Sequence, residues 1–287
     1  MSENNSSFSK FQCGDLRINL ESPQLMGILN LTDDSFFDGG RYNKGDGFLS
    51  RAEKLVEEGC SIIDIGAAST RPGAELIDEQ EEWRILEKPL QVLRKKYPSI
   101  LLSVDTYNAG QVKKCSDLGI NIINDISGGS WDEKMYNEVV RYQMAYVLMH
   151  IKGEPKTMQS QTAYSSVIDE VKNYFEEGIK KLNEFDFKNI ILDPGFGFAK
   201  TLAQNYELLA KMSQLEVLGY PVLTGLSRKS MIFRALEISP QEALNGTTAL
   251  NMLALQNGAK ILRVHDAKEA RETIQLFSLY KESEKGN

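Results

Sequence analysis

Residues 101–125 read LLSVDTYNAGQVKKCSDLGINIIND and contain one complete repeat of the pattern that decides this fold. An apolar run from Leu101 to Val104 stops at Asp105, Ala109, Val112 and Cys115 then share one helical face, and a second run from Ile120 to Ile123 stops at Asn124. Strand, helix and strand in one direction make a βαβ unit. The same phase recurs on both sides. Upstream, Met26 to Leu29 runs into Asn30, and Ile62-Ile63 into Asp64. Downstream, Ala145 to Met149 meets His150, Ile190 to Leu192 meets Asp193, Pro221 to Gly225 leads to Ser227-Arg228-Lys229, and Ile261-Leu262 meets Arg263 and His265. Eight such repeats predict an α/β protein built as a TIM (β/α)8 barrel, whose chemistry sits at the carboxyl ends of the strands. The strands are too uniformly apolar for a sheet with one wet face. A doubly wound open sheet would also alternate strand and helix, but it gathers its polar residues at one switch point instead of after nearly every strand.

The remaining elements follow from their stripes. Phe11 to Leu20 alternates around Cys13-Gly14-Asp15 as a short hairpin does, with Phe11, Leu16, Ile18 and Leu20 as apolar members that can plug the amino-terminal mouth of the barrel. Helical faces are formed by Phe48, Ala52, Leu55 and Val56, and by Val167, Val171, Phe175, Ile179 and Leu182. Ser239-Pro240 reads as a capped helix start, and Asp266 with Glu269 as a capping box before the last helix. A single domain over residues 1–287 is expected, with 1–9 and 281–287 flexible.

Bulk properties narrow the function. With 41% hydrophobic and 25% charged residues the composition is that of an ordinary globular protein. A net charge of -7 argues against a nucleic-acid partner, so any anion must be held by a local cationic pocket. The three cysteines are scattered and fit neither a disulfide framework nor a zinc knuckle, and two histidines make a zinc site a poor reading. The polar N-terminus is no signal peptide and no run approaches the ~20 apolar residues of a membrane span, so a cytoplasmic protein is expected.

Met26 to Gly40, Ser69-Thr70-Arg71-Pro72-Gly73, Ser103 to Thr106, Ile123-Asn124-Asp125, Leu148-Met149-His150, Asp193 to Phe198, Ser227 to Ser230 and Arg263 to Asp266 together resemble the dihydropteroate synthase family of pterin-binding enzymes. The likeness spans about Leu25 to Ala267, with roughly one motif per strand in the family's order. It implies a TIM barrel that joins 6-hydroxymethyl-7,8-dihydropterin diphosphate to 4-aminobenzoate with Mg²⁺ assistance, releases pyrophosphate, and works as a homodimer. Sulfonamides mimic the second substrate.

The residue chemistry agrees with that implication. A pterin offers an aminopyrimidine edge whose adjacent N–H donors match a buried carboxylate, for which Asp193 is the candidate. Asn124 both donates and accepts, Asp105 adds an acceptor, and Lys229 can donate to the ring carbonyl while offsetting the acids. Met149 and Phe198 supply apolar walls. Asn30, Arg263 and His265 lie on the first and last strands, which barrel closure makes neighbours, and they suit a diphosphate, with the Asn30 carbonyl as a Mg²⁺ ligand. A lone Asp or Asn after a strand is most often a turn residue or helix cap, and only their number at one barrel end shifts the balance. Asp64 and Asp125 read as structural. His150 belongs to the family motif without a clear chemical role.

By the same resemblance, the long connections Thr32 to Gly47 and Ala67 to Asp78 are lids. Phe36, Thr70, Pro72, Lys229 and Ser230 are then expected at 4-aminobenzoate, Ser230 together with the helix N-terminus that follows it; Arg71 is expected at the diphosphate, and Asp38 as an ordering and catalytic group of the first lid. The catalytic set is Asp105, Asp193, Lys229, Arg263, His265 and Asp38. The chain departs from the family at Asp33, Phe37 and Ala67-Ala68, where proline, serine and glycine-glutamate are usual, which bears on 4-aminobenzoate and sulfonamide binding. Gly195-Phe196-Gly197-Phe198 is no dinucleotide loop, because Lys200 stands where the third glycine is needed. Two rivals are a methyltetrahydrofolate-dependent methyltransferase and a pterin binder without turnover.

Overall fold

The computed structural model describes residues 10–31, 47–67, 76–154 and 157–285. Two strands, β1 (Phe11–Cys13) and β2 (Leu16–Ile18), form an antiparallel hairpin. Eight parallel strands follow: β3 (Gln24–Asn30), β4 (Ile62–Gly66), β5 (Leu101–Asp105), β6 (Ile122–Asp125), β7 (Ala145–Met149), β8 (Ile190–Asp193), β9 (Val222–Thr224) and β10 (Ala259–Val264). They close into a barrel in the order β10-β3-β4-β5-β6-β7-β8-β9. The helices that return the chain are α1 (Gly47–Glu57), α2 (Glu79–Lys96), α3 (Gly110–Asp117), α4 (Met135–Arg141), α5 (Val167–Asn183), α6 (Leu202–Lys211), α7 (Ser230–Phe233), α8 (Leu244–Gln256) and α9 (Ala267–Lys285).

Strand parity separates two cores. Residues facing outward, such as Leu29, Ile63, Leu102, Tyr146 and Leu262, pack with the helix stripes into one large cluster. Residues facing inward at the lower end, Met26, Ile62, Leu101, Ile122, Val147, Ile191, Leu223 and Ile261, form a second cluster with Phe11, Cys13, Ile18 and Leu20 of the hairpin. The hairpin therefore stoppers the amino-terminal end with apolar side chains, as expected from its alternation. One consequence decides the site: the same inward parity, carried two to four residues further, delivers Asp64, Ser103, Asp105, Asn124, Met149, Asp193 and Arg263 into the upper barrel.

Two local readings change. Ser239 and Glu242 do form a capping box, but it closes a 3-10 turn at Pro240–Glu242, and α8 starts only at Leu244. Asp266 does not serve α9 as a cap acceptor, because Arg228 takes both its oxygens, Nε to Oδ2 at 2.9 Å and Nη2 to Oδ1 at 2.7 Å. The charged tail is helical as far as Lys285, with Lys281 paired to Glu284 one turn on. Among the described residues no helix is long and apolar enough to cross a membrane.

Candidate active site

The upper barrel is organised around Asp64. This carboxylate lies in mid-strand on β4, not at its end, and is fully buried. Its Oδ1 accepts from Ser103 Oγ at 2.6 Å, and its Oδ2 accepts from Asn124 Nδ2 at 2.9 Å and from Arg263 Nε at 2.6 Å. A carboxylate can only accept, so it turns the Asn124 amide nitrogen toward itself and leaves the amide oxygen for another partner.

Arg263 is held twice. Besides Asp64 it donates from Nη2 to Asp105 Oδ2 at 2.8 Å. Burial works against its charge, but the two carboxylates outweigh it and push the guanidinium above its ordinary range. Asp105 keeps Oδ1 buried and without a hydrogen-bond partner. Burial first, opposed by Arg263 and reinforced by Asp64, Glu82 and Asp125, raises its carboxyl to about 7. The segment after Asp105 is pinned from behind by buried Glu82, which accepts from Thr106 Oγ1, Asn108 Nδ2 and Gln111 Nε2, each at 2.9 Å.

Backbone register sets Asn30, Gly66, Asp105 and Asn124 side by side on consecutive strands. Gly66 leaves a gap in that row: a Cβ there would lie 3.6 Å from Asn30 Oδ1 and 3.9 Å from Asp105 Oδ2. Among the described residues no group of three metal-ligating side chains exists. The Asn30 amide oxygen beside the glycine is a sparse set, and it fits Mg²⁺, which keeps several waters and completes its shell with substrate phosphates.

On the opposite side of the mouth Asp193 ends β8, next in register to Met149. Its Oδ1 accepts from the Gly195 N–H at 2.8 Å. Burial raises its carboxyl, and nearby Lys229 lowers it. Lys229 sits just beyond β9, with Nζ on the Phe196 carbonyl and 4.7 Å from the centre of the Phe198 ring. Burial lowers this ammonium to about 8, with Asp193 pulling the other way. Met149 and Phe198 share one apolar cluster with Tyr107, Ile126, Ile151, Met158, Trp131 and Ala199. Sequence reasoning found the first two and missed the others.

His265 follows β10. Its backbone N–H donates to Ser227 Oγ at 3.2 Å, and its Nδ1 lies 3.0 Å from the same oxygen. A hydroxyl that accepts the backbone N–H uses its own proton best by donating to Nδ1, which leaves Nε2 protonated and aimed elsewhere. Burial, then Arg263, lowers this imidazole to about 4, so it is neutral at pH 7. Ser230 begins α7, but that helix is only four residues long and brings no helix-dipole support for a carboxylate.

The barrel thus brings Asn30, Asp105, Asn124, Met149, Asp193, Phe198, Lys229, Ser230, Arg263 and His265 to its carboxyl end. Phe36, Asp38, Thr70, Arg71 and Pro72, with Asp33, Phe37 and Ala68, lie outside the described residues. Ala67 is buried in the outer cluster. Asp125 accepts from Ser127 Oγ at 2.7 Å, Gly129 N–H at 2.7 Å and Tyr146 OH at 2.8 Å, a structural role as expected. The organising part of Asp64 was not foreseen. Its signal was present, since Ile62, Asp64 and Gly66 share inward parity, and a polar residue at an inward position above the apolar layer is a site residue by geometry.

A closed parallel barrel with acids, an amide and bases around one apolar-walled mouth defines a TIM-barrel enzyme for a flat, hydrogen-bonding ring. Comparisons with known proteins narrow this. The profile of the family described as "Pterin binding enzyme" matches residues 26–265. The dihydropteroate synthase of Escherichia coli (strain K12) is 37% identical over 261 residues, 90% of this chain and 92% of that protein. The crystal structure of the Yersinia pestis dihydropteroate synthase with a sulfonamide drug complex superposes with a TM-score of 0.89 at 36% identity, covering 95% of this chain and 99% of that one. The Xanthomonas albilineans dihydropteroate synthase in complex with 7,8-dihydropteroate gives a TM-score of 0.84 at 30% identity, covering 95% and 98%. The chain belongs to the pterin-binding enzyme family, and within it to the dihydropteroate synthases.

Proposed function

We propose that this chain condenses 6-hydroxymethyl-7,8-dihydropterin diphosphate with 4-aminobenzoate to give 7,8-dihydropteroate and pyrophosphate, by a dissociative displacement at the carboxyl end of the barrel. The observation that carries the reading is the linked network Asn124–Asp64–Arg263–Asp105, facing Asp193 and Lys229 across one mouth.

In this reading the pterin's aminopyrimidine edge donates to Asp193, whose Oδ1 is already oriented by the Gly195 N–H. The Asn124 oxygen, freed by Asp64, accepts from the ring, and Lys229 leaves the Phe196 carbonyl for the pterin carbonyl. Met149 and Phe198 cover the faces of the ring. Asp105 presents an unpartnered oxygen, and near pH 7 it can accept a hydrogen bond or, protonated, donate one. The diphosphate meets Arg263 Nη1, which neither carboxylate takes, His265 Nε2–H and, from the lid, Arg71. Asn30 would hold Mg²⁺ through its amide oxygen beside Gly66, and magnesium bound there would neutralise charge on the leaving group. Phe36, Thr70, Pro72, Lys229 and Ser230 form the 4-aminobenzoate side, and Asp38 orders the first lid.

Breaking the C–O bond to diphosphate leaves a methylene cation shared with the reduced ring. The arylamine is neutral at pH 7 and needs no strong base, so the catalytic work is to steady the leaving group and the cation and to exclude water. Arg263 offsets the charge of Asp105, so the anionic field at the ring comes mainly from Asp193. We further propose a homodimer through α8 and α9, which expose Leu253, Leu276, Leu279 and Tyr280. The buried free thiols Cys13, Cys60 and Cys115 support a reducing, cytoplasmic compartment.

The test supplies the pterin diphosphate, labelled 4-aminobenzoate and Mg²⁺, and assays dihydropteroate and pyrophosphate. Formation of both is expected. Pterin binding without product would make the protein a non-catalytic binder, and turnover only with methyltetrahydrofolate and a corrinoid partner would make it a methyltransferase.

A further inference from the structure

Behind the turn that carries Asp193 and Phe198 lies a buried ammonium that the mechanism above does not use. Lys200 is 4% exposed. Its Nζ donates to Gly195 O at 3.0 Å and to Phe198 O at 3.1 Å, and it lies 3.0 Å from Nδ1 of His150. Burial lowers Lys200 to about 7, with Asp193 pulling the other way. As an ammonium its Nζ has three donors and no lone pair, so Nδ1 is then the third acceptor and the imidazole is neutral. Burial, then Lys200 and Lys152, holds His150 well below the ordinary histidine range, which agrees.

The grip falls on an unusual piece of backbone. Gly195, Gly197 and Ala199 all have left-handed φ values, +66°, +82° and +50°. A Cβ on Gly195 would meet the His150 carbonyl oxygen at 2.0 Å. For Ala199 the conformation costs about 1–2 kcal/mol, so the turn does not hold itself. The left-handed residues turn the carbonyls of Gly195 and Phe198 to one point, where Lys200 closes the cage. The other face of the turn works on the site: the Gly195 N–H fixes Asp193 Oδ1, and the His150 N–H donates to the Asp193 carbonyl at 2.9 Å.

We propose that Lys200 and His150 are positioning residues for pterin recognition, a clamp that sets Asp193 and Phe198 against the ring from behind without touching substrate. The inference rests on the reading of Asp193 and Phe198 as pterin-contacting groups. The cage is built of neutral acceptors. The charged groups around it are Asp193 and Lys229 on the substrate side and Lys152 beyond β7, with the rings of Tyr164 and Tyr174 against His150.

This arrangement separates positioning from bulk stability. Lys200→Met keeps the length of the stem, orphans two carbonyls and His150 Nδ1, and removes a buried charge; the last two effects oppose each other, so the melting temperature stays within about 3 °C of wild type. His150→Leu removes the acceptor, and His150→Asn keeps one near the Nδ1 position. Calorimetric titration with the pterin diphosphate is expected to show about tenfold weaker binding for Lys200→Met and His150→Leu, with His150→Asn within about threefold and the 4-aminobenzoate KM within about twofold throughout. Folded variants Lys200→Met and His150→Leu that both bind the pterin diphosphate as wild type does would overturn the clamp. Should Lys200→Met not fold, the pair His150→Leu and His150→Asn decides alone, and equal affinities overturn it. Wild type that fails to bind the pterin diphosphate would instead overturn the pterin reading.

Discussion

Asp64 accepts hydrogen bonds from three side chains, and two substitutions take them apart differently. Alanine leaves Ser103 Oγ, Asn124 Nδ2 and Arg263 Nε without their acceptor in a fully buried place. Breaking a buried pair on one side costs about 3–5 kcal/mol, and Arg263 keeps Asp105 at 2.8 Å, so we expect the lower half of that range. At about 2 °C per kcal/mol for a domain of this size the melting temperature falls by roughly 6–8 °C. Asparagine keeps the shape. Its oxygen can stand where Oδ2 stands, and its amide can donate to the Ser103 hydroxyl, which reverses; only the charge opposite Arg263 is lost, about 1–2 kcal/mol. Binding follows the same order. With Ala, the Asn124 amide and the Arg263 guanidinium must each be ordered when substrate arrives, at about 0.5–1.5 kcal/mol apiece, which weakens the pterin diphosphate roughly 5- to 150-fold. With Asn the loss is less than about tenfold. Urea unfolding and calorimetric titration measure both quantities. An Asp64→Ala protein that melts near wild type and binds within twofold would refute the idea that this carboxylate organises the mouth.

Lys229→Ala is expected to lose pterin binding and turnover together, whereas Phe36→Ala chiefly raises the KM for 4-aminobenzoate; steady-state kinetics with each substrate varied in turn tells these apart. His265 has a folded-state pKa of about 4 against about 6.5 unfolded, so between those values the unfolded chain takes a proton that the folded chain refuses, and stability falls as pH drops through the window. Urea unfolding at pH 7 and pH 4.5 should therefore show a smaller acid loss for His265→Gln than for wild type, by at most ~3 kcal/mol, and equal losses would show that the imidazole is not held neutral. Chelating Mg²⁺ is expected to stop turnover and weaken the pterin diphosphate while leaving the affinity of a pterin without phosphates unchanged; equal loss of both ligands would remove magnesium from the leaving-group side.

The barrel was legible in the chain because its signal is local and repeated. Each strand declares itself by an apolar run, each helix by a stripe, and Leu101–Asn124 already contains one full period. The polar residues that end the runs were legible for the same reason, and the structure carries Asn30, Asp105, Asn124, Asp193, Lys229 and Arg263 to one rim. Capping was less so: Asp266 has the spacing of a capping box, yet Arg228, 38 residues away, takes its carboxylate, because a guanidinium offers two charged donors where a helix end offers neutral ones.

By itself, then, the sequence determined the succession of strands and helices, the end of the barrel where chemistry gathers, and the family, all of which rest on short-range periodicity and on motifs contiguous in the chain. Only the tertiary structure decided which groups restrain one another: Asp64 with Arg263 across 199 positions, His150 with Lys200 across 50, Ser227 with His265 across 38. Those partnerships depend on barrel closure, strand register and the reversed carbonyls of one left-handed turn, and a side chain's charge and free lone pairs follow from its neighbours in space rather than in sequence.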